Sequence, residues 1–101
     1  MHKIVANNFK SLVLESSYDA LVLFDSDQCE QCKTLRVIYE ELAERMQNNR
    51  FIKFYHINTS KNEVLGREKT GKKAVVLFYA KRDKTQPIDF SSYRRSREII
   101  R

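Results

Sequence analysis

Ala20-Leu21-Val22-Leu23-Phe24-Asp25-Ser26-Asp27-Gln28-Cys29-Glu30-Gln31-Cys32 carries three signals in succession. Its first five residues are apolar without alternation, the pattern of a short strand covered on both faces. Asp25 to Gln28 then supply residues suited to a turn and a helix N-cap. Beyond Glu30, the apolar residues Leu35, Ile38, Leu42 and Met46 recur at helical spacing, with Glu40, Glu41, Glu44 and Arg45 on the other side. This predicts an amphipathic helix from Glu30 to about Asn48. Cys29 and Cys32, the only two cysteines of the chain, therefore stand between a buried strand and the opening of a long helix.

Upstream, Ile4-Val5-Ala6 reads as an edge strand leading into a short helix that carries Phe9, Leu12, Val13 and Leu14. Downstream, Phe51-Ile52-Lys53-Phe54-Tyr55-His56-Ile57 is aromatic and β-branched and predicts the next strand. Asn58-Thr59-Ser60 breaks it, and Glu63 to Thr70 has the pattern of a short helix stopped by Gly71. Ala74-Val75-Val76-Leu77-Phe78-Tyr79-Ala80 is a third strong strand. A turn over Arg82 to Thr85 leads to Gln86-Pro87-Ile88-Asp89-Phe90, an edge strand because it contains proline. Tyr93 to Arg101 opens a final helix. Alternating strands and helices imply a parallel portion, and the last strand pair implies an antiparallel hairpin. The expected architecture is a mixed α/β sheet with helices on both faces.

The 101 residues suit one compact domain, and 42% hydrophobic residues suffice for a core. Only two Gly and one Pro argue against a disordered or repetitive chain. No run approaches the roughly 20 apolar residues of a membrane-spanning helix. The first residues, Met1 to Val5, show no secretory signal pattern. The net charge of +6 raises nucleic acid as a partner. Much of the excess, however, sits at Lys81, Arg82, Lys84, Arg94, Arg95, Arg97 and Arg101. The aromatic residues fall within strand-like runs and are not interleaved with those cations as stacking platforms, so nucleic acid is not an expected partner.

The cysteine spacing has a specific chemistry. At a helix N-terminus, free backbone N–H groups and the macrodipole stabilise a thiolate, which makes Cys29 the natural nucleophile. Cys32, three residues along and more deeply buried, is placed to resolve a mixed disulfide. A zinc site would need further ligands, and only His2 and His56 remain, far apart in sequence. A pair of inert buried thiols is the other alternative. His56 reads as a surface residue of an alternating strand, while Phe51, Phe54 and Tyr55 read as core.

With these elements in place, the chain resembles a catalytic domain of the protein disulfide isomerase family over almost its whole length. The resemblance is carried by Asn8-Phe9, Leu21-Val22-Leu23-Phe24, Cys29-Glu30-Gln31-Cys32-Lys33, Ile38-Tyr39-Glu40-Glu41-Leu42-Ala43-Glu44, His56-Ile57-Asn58-Thr59-Ser60, Val76-Leu77-Phe78-Tyr79 and Ile88-Asp89-Phe90. It implies the thioredoxin fold and a redox-active pair. It also implies departures from the family pattern. Glu30-Gln31 replaces a Gly-His pair, which predicts a less acidic Cys29 and a less oxidising potential. Gln28 replaces a tryptophan of the client-binding surface, and Leu23 replaces a buried glutamate that exchanges the proton of the second cysteine. The family's cis-proline, which faces the cysteines and pairs with the client backbone, falls on Ala74 or Lys73 depending on the register. A trans peptide is expected there, because cis costs roughly 2.5–4 kcal/mol without proline. A lysine in that loop would partly replace the missing cation near Cys29. Val37 stands at a position where proline often kinks the helix, and Arg94 matches an arginine that swings toward the second cysteine.

By resemblance, the expected activity is thiol–disulfide exchange or isomerisation on protein cysteines without a cofactor. Cys29, Cys32 and Arg94 are the expected catalytic residues, and Gln28, Lys73 and Ala74 the client-binding ones. The implied partners are client proteins with disulfides or thiols, a separate redox partner and further domains of a longer chain from which this one is excised. The implied compartment is the endoplasmic reticulum lumen, with the cytoplasm as alternative. Two other readings stay open: a binding domain whose redox activity has decayed, and a cytosolic thioredoxin-like reductant.

Overall fold

The computed structural model describes residues 1–61 and 75–90. Within them the chain runs as strand β1 (His2–Ile4), helix α1 (Ala6–Phe9), a π-helical turn over Lys10–Leu14, strand β2 (Asp19–Asp25), helix α2 (Glu30–Arg45), and strands β3 (Ile52–Asn58), β4 (Val75–Ala80) and β5 (Asp83–Asp89). The strands form one sheet in the order β1-β3-β2-β4-β5. β1, β3 and β2 are parallel, and β4 and β5 complete the sheet antiparallel. The helices expected over 63–70 and 93–101 lie outside the described residues. Among the described residues, no helix is long and apolar enough to cross a membrane.

The continuous apolar run 20–24 is explained by the position of β2. It pairs Leu23 with His56 of β3 on one side and with Val76 of β4 on the other. Its side chains alternate between two buried clusters. Ala20, Val22 and Phe24 join Phe9 and Val13 on the α1 face, with Tyr55, Ile57, Leu77 and Tyr79. Leu21 and Leu23 join Cys29, Cys32, Leu35, Tyr39 and Leu42 on the α2 face, with Phe54 and Val76. Residues 20–24 expose at most 2% of their surface. Both faces are covered, as the unbroken run predicts.

The first helix closes with an N–H bond from Glu15 to the Lys10 carbonyl at 2.9 Å, five residues back. Its entry is held by Asn8, whose Oδ1 accepts the Val5 N–H at 2.9 Å. The edge strand β5 is tied back to this region by Lys84. Its Nζ donates to the carbonyls of Val13 and Tyr18, each at 2.7 Å, and to Ser16 Oγ at 3.2 Å.

Four local expectations are corrected. α2 ends at Arg45 rather than near Asn48, because the chain turns over Met46 to Asn48 and Asn49 Oδ1 accepts the Phe51 N–H at 2.9 Å. The first strand ends at Ile4, because Val5 is the N-cap of α1. Phe51 is 71% exposed and not core, since it lies just ahead of β3 in that turn. The last hairpin is tighter than expected: Ala80 pairs with Asp83 across Lys81-Arg82, and Asp83 Oδ1 accepts the Thr85 N–H at 3.0 Å.

Leu21→Ala is expected to cost about 2–5 kcal/mol by opening a cavity beneath α2. Val37, on the same domain but 66% exposed, should tolerate alanine within about 0.5 kcal/mol. Urea denaturation of the two variants beside the parent chain checks the contrast.

Candidate functional site

β2 delivers the chain to the end of the sheet, and the loop Ser26 to Gln28 turns it into α2. Cys29 is the N-cap of that helix, in extended conformation with φ −95° and ψ 97°. Its N–H bonds to the Ser26 carbonyl at 3.2 Å. Its Sγ accepts the Cys32 N–H at 3.1 Å, so one of the unpaired donors of the first helical turn already points at the sulfur. Cys29 and Cys32 are joined by a disulfide with their Cα atoms 5.3 Å apart. Cys32 Sγ lies 4.0 Å from the Phe24 carbonyl oxygen, which seats it directly over the end of β2. Cys29 is 3% exposed and Cys32 fully buried.

The loop ahead of Cys29 is pinned from β3. Asn58 Nδ2 donates to Asp27 Oδ1 at 2.9 Å, and the Asp27 N–H donates to Ser60 Oγ at 3.0 Å. The Ser60 N–H in turn donates to Asn58 Oδ1 at 2.8 Å. Thr59, nearly buried, bonds the Asp25 carbonyl through both its N–H and its Oγ1, each at 2.8 Å. These contacts hold residues 25–27 against the end of β3, so the sulfur pair rests on the sheet and not on a free loop.

The local charge is mixed. Glu30, in the first turn of α2, lies 4.0 Å from Lys33, with both side chains more than 80% exposed. Solvent screens such a pair strongly. Asp27 adds a second exposed carboxylate before Cys29. Gln28 is exposed immediately beside Cys29, on the rim of the site. Lys73, Ala74 and Arg94 lie outside the described residues. Among the described residues, no three His, Cys, Asp or Glu side chains gather into a set that could hold a metal ion.

One residue at the site reads differently in the structure than in the sequence. His56 is 6% exposed, not a surface residue. It belongs to a strand paired on both edges, and its register partners Leu23 and Lys3 put it on the α2 side of the sheet. Burial pushes its imidazole below the ordinary histidine value of 6.5, helped by the Arg36 and Lys3 charges and opposed by Asp25 and Glu40. The signal that could have found it is the unbroken Phe54-Tyr55-His56-Ile57 run. In a strand covered on both faces, alternation no longer separates inside from outside.

A family model described as thioredoxin matches residues 1–100. Among curated proteins, the chain is 27% identical over 99 residues to the probable protein disulfide-isomerase ER-60 of Schistosoma mansoni, covering 98% of this chain and 20% of that protein. It is 33% identical over 88 residues to the protein disulfide-isomerase of Drosophila melanogaster, covering 87% of this chain and 17% of that one. The chain thus spans about a fifth of the length of the curated relatives it matches. Among solved structures, chloroplastic thioredoxin z superposes with a TM-score of 0.71 at 18% identity, over 88% of this chain and 78% of that one. The first two thioredoxin domains of Naumovozyma dairenensis Eps1p superpose with a TM-score of 0.75 at 18% identity, over 99% of this chain and 38% of that one. The two structures share the thioredoxin fold with this chain.

The buried imidazole links stability to pH. A histidine whose folded pKa is depressed binds its proton more readily in the unfolded chain, so its share of stability is present above pH 6.5 and lost as pH falls through the folded value. Urea midpoints at about pH 7.5 and about pH 5.5, either side of the ordinary histidine pKa, should show lower stability at the acid end. The loss should shrink in His56→Gln.

Proposed function

We propose that this chain, which belongs to the thioredoxin family, is a thiol–disulfide oxidoreductase domain of the protein disulfide isomerase type, acting on protein cysteines through Cys29-Glu30-Gln31-Cys32. The observation that supports this most directly is the cysteine pair at the N-terminus of α2, with the Cys32 N–H aimed at Cys29 Sγ. The same N–H that caps the helix in the disulfide stabilises a Cys29 thiolate once the pair is reduced.

In the reductive direction, the Cys29 thiolate attacks one sulfur of a client disulfide. A Cys29–client bond forms, the client S–S bond breaks, and the second client sulfur leaves as a thiolate that takes a proton from water. Cys32 loses its proton and attacks Cys29 Sγ, which re-forms the disulfide and releases the remaining client sulfur. Two electrons pass from the pair to the client. The reverse sequence oxidises a client dithiol, and release before resolution followed by attack elsewhere isomerises it. A separate redox partner returns the pair to its starting state.

Gln28 lines the approach to Cys29 in this reading, and Lys73 or Ala74 supplies the loop that meets the client backbone. Arg94 is the cation assigned to Cys32. The other domains of a longer protein and residence in the endoplasmic reticulum lumen belong to the same proposal, with the cytoplasm as alternative. A second reading, a binding domain with weakened catalysis, draws on Leu23. Its side chain is wholly buried where the family resemblance calls for a proton-exchanging glutamate.

Equilibration of the chain against defined glutathione ratios, with thiols trapped by alkylation, separates the readings. The expected result is a single two-electron transition, more reducing than the roughly −180 mV of protein disulfide isomerase. Gln31→His, which returns a cation to the loop, should move the transition toward oxidising values. Cysteines that remain dithiol at every ratio would leave only the binding reading.

A further inference from the structure

The described residues hold one buried histidine, and the thiol chemistry proposed above leaves it without a task. His56 is more than nine-tenths buried. No hydrogen bond among the described residues occupies its imidazole nitrogens, whereas Ser26 and Thr59, the other buried polar residues, have partners. A buried polar group that finds no partner among its described neighbours calls for an explanation, and a redox or catalytic role is one of those that such groups have.

Its place is defined by the sheet. Cys32 Sγ sits 4.0 Å from the Phe24 carbonyl, between the positions of Leu23 and Asp25. Leu23 shares the α2-face cluster with Cys29 and Cys32. His56 is the register partner of Leu23 on the neighbouring strand, one interstrand spacing of about 4.8 Å away on the same face. Lys3 of β1 is its register partner on the other side. The charged groups acting on it are Arg36 and Glu40 from α2, Asp25 from β2 and Lys3 from β1. Arg36 and Glu40 hold each other at 3.4 Å, which offsets their opposed effects. Asp25 Oδ1 is engaged by the Ser26 N–H at 2.7 Å.

We propose that His56 is the proton acceptor of the redox pair: it receives the proton that Cys32 gives up on becoming a thiolate, from the strand beside Leu23, whose own side chain carries no acid. This rests on the oxidoreductase reading. In the step, the Cys32 S–H bond breaks and an imidazole N–H bond forms, leaving a thiolate beside an imidazolium. The thiolate then attacks Cys29 Sγ, and the imidazolium gives its proton to the departing client thiolate or to water. No electron is exchanged with His56. In the disulfide state Cys32 has no proton to give and no thiolate balances an imidazolium, so burial works against the charged ring there.

The first test needs no variant. The His56 ring is followed by NMR through a pH titration of the 101-residue chain, once as the disulfide and once as the dithiol. An imidazole that stays protonated to higher pH in the dithiol form than in the disulfide form is the expected result. Identical titration in the two forms overturns the proposal. In the second, His56→Gln should slow resolution of a Cys29 mixed disulfide by about 100-fold near neutral pH, the lower end of what a positioned proton acceptor contributes. An unchanged rate and pH profile in this variant would also overturn it. A chain whose cysteines never close against glutathione fails at the oxidoreductase reading itself, whereas a chain that closes with an indifferent His56 fails only here.

Discussion

Strand β2 accepts and donates ladder hydrogen bonds on both edges while its side chains divide between two buried clusters. It is also the middle strand of the five, with β3 and β1 on one side and β4 and β5 on the other. Once Leu21 and Leu23 are committed to the α2 face, α2 must lie across them, and Leu35, Tyr39 and Leu42 must point inward. The start of that helix is then set by the short connection from Asp25, which brings Cys29 to the N-cap. The cysteines are thus located by packing some distance away, and their mutual geometry follows from one helical turn.

The electrostatic setting of the pair combines a favourable backbone with unfavourable side chains. The Cys32 N–H and the N-terminal dipole favour negative charge on Cys29, and its burial keeps solvent from screening them. Asp27 and Glu30 oppose it from solvent, where screening weakens them, and Lys33 offsets Glu30 in part. The interior contributes differently. The sheet beneath Cys32 carries Leu23 in place of an acid and His56 in place of an ordinary apolar neighbour. Surface charge and buried side chains therefore meet the pair from different sides, the exposed carboxylates at the rim by Cys29 and Leu23 on the sheet side.

Much of this was legible in the residues. The run Ala20 to Phe24 announced a doubly covered strand, the spacing of Leu35 and Leu42 announced the helix, and Cys29 and Cys32 marked the junction. The resemblance to protein disulfide isomerase domains rested on the same segments. What was not legible depended on pairing. Whether His56 is inside or outside is decided by α2 covering its face of the sheet, a long-range fact that a window of sequence does not contain. Phe51 failed for the converse reason: its aromatic character fits a strand, but Asn49 takes its N–H and holds it in the preceding turn. The tight Lys81-Arg82 hairpin is hidden in the sequence because Asp83 and Thr85 look like turn residues until the pairing of Asp83 with Ala80 is known.

The central place of β2 also bears on how the chain is made. β2 leaves the ribosome about fifty residues ahead of its partner β4, which begins only at Val75. During that interval one edge of an apolar strand has no neighbour, which is the kind of surface that nascent chains aggregate through. Cys29 and Cys32, three residues apart, can meet as soon as the first turn of α2 forms. Closure of the pair is therefore a local event, whereas completion of the sheet waits for contacts far apart in sequence, the slow class of folding step.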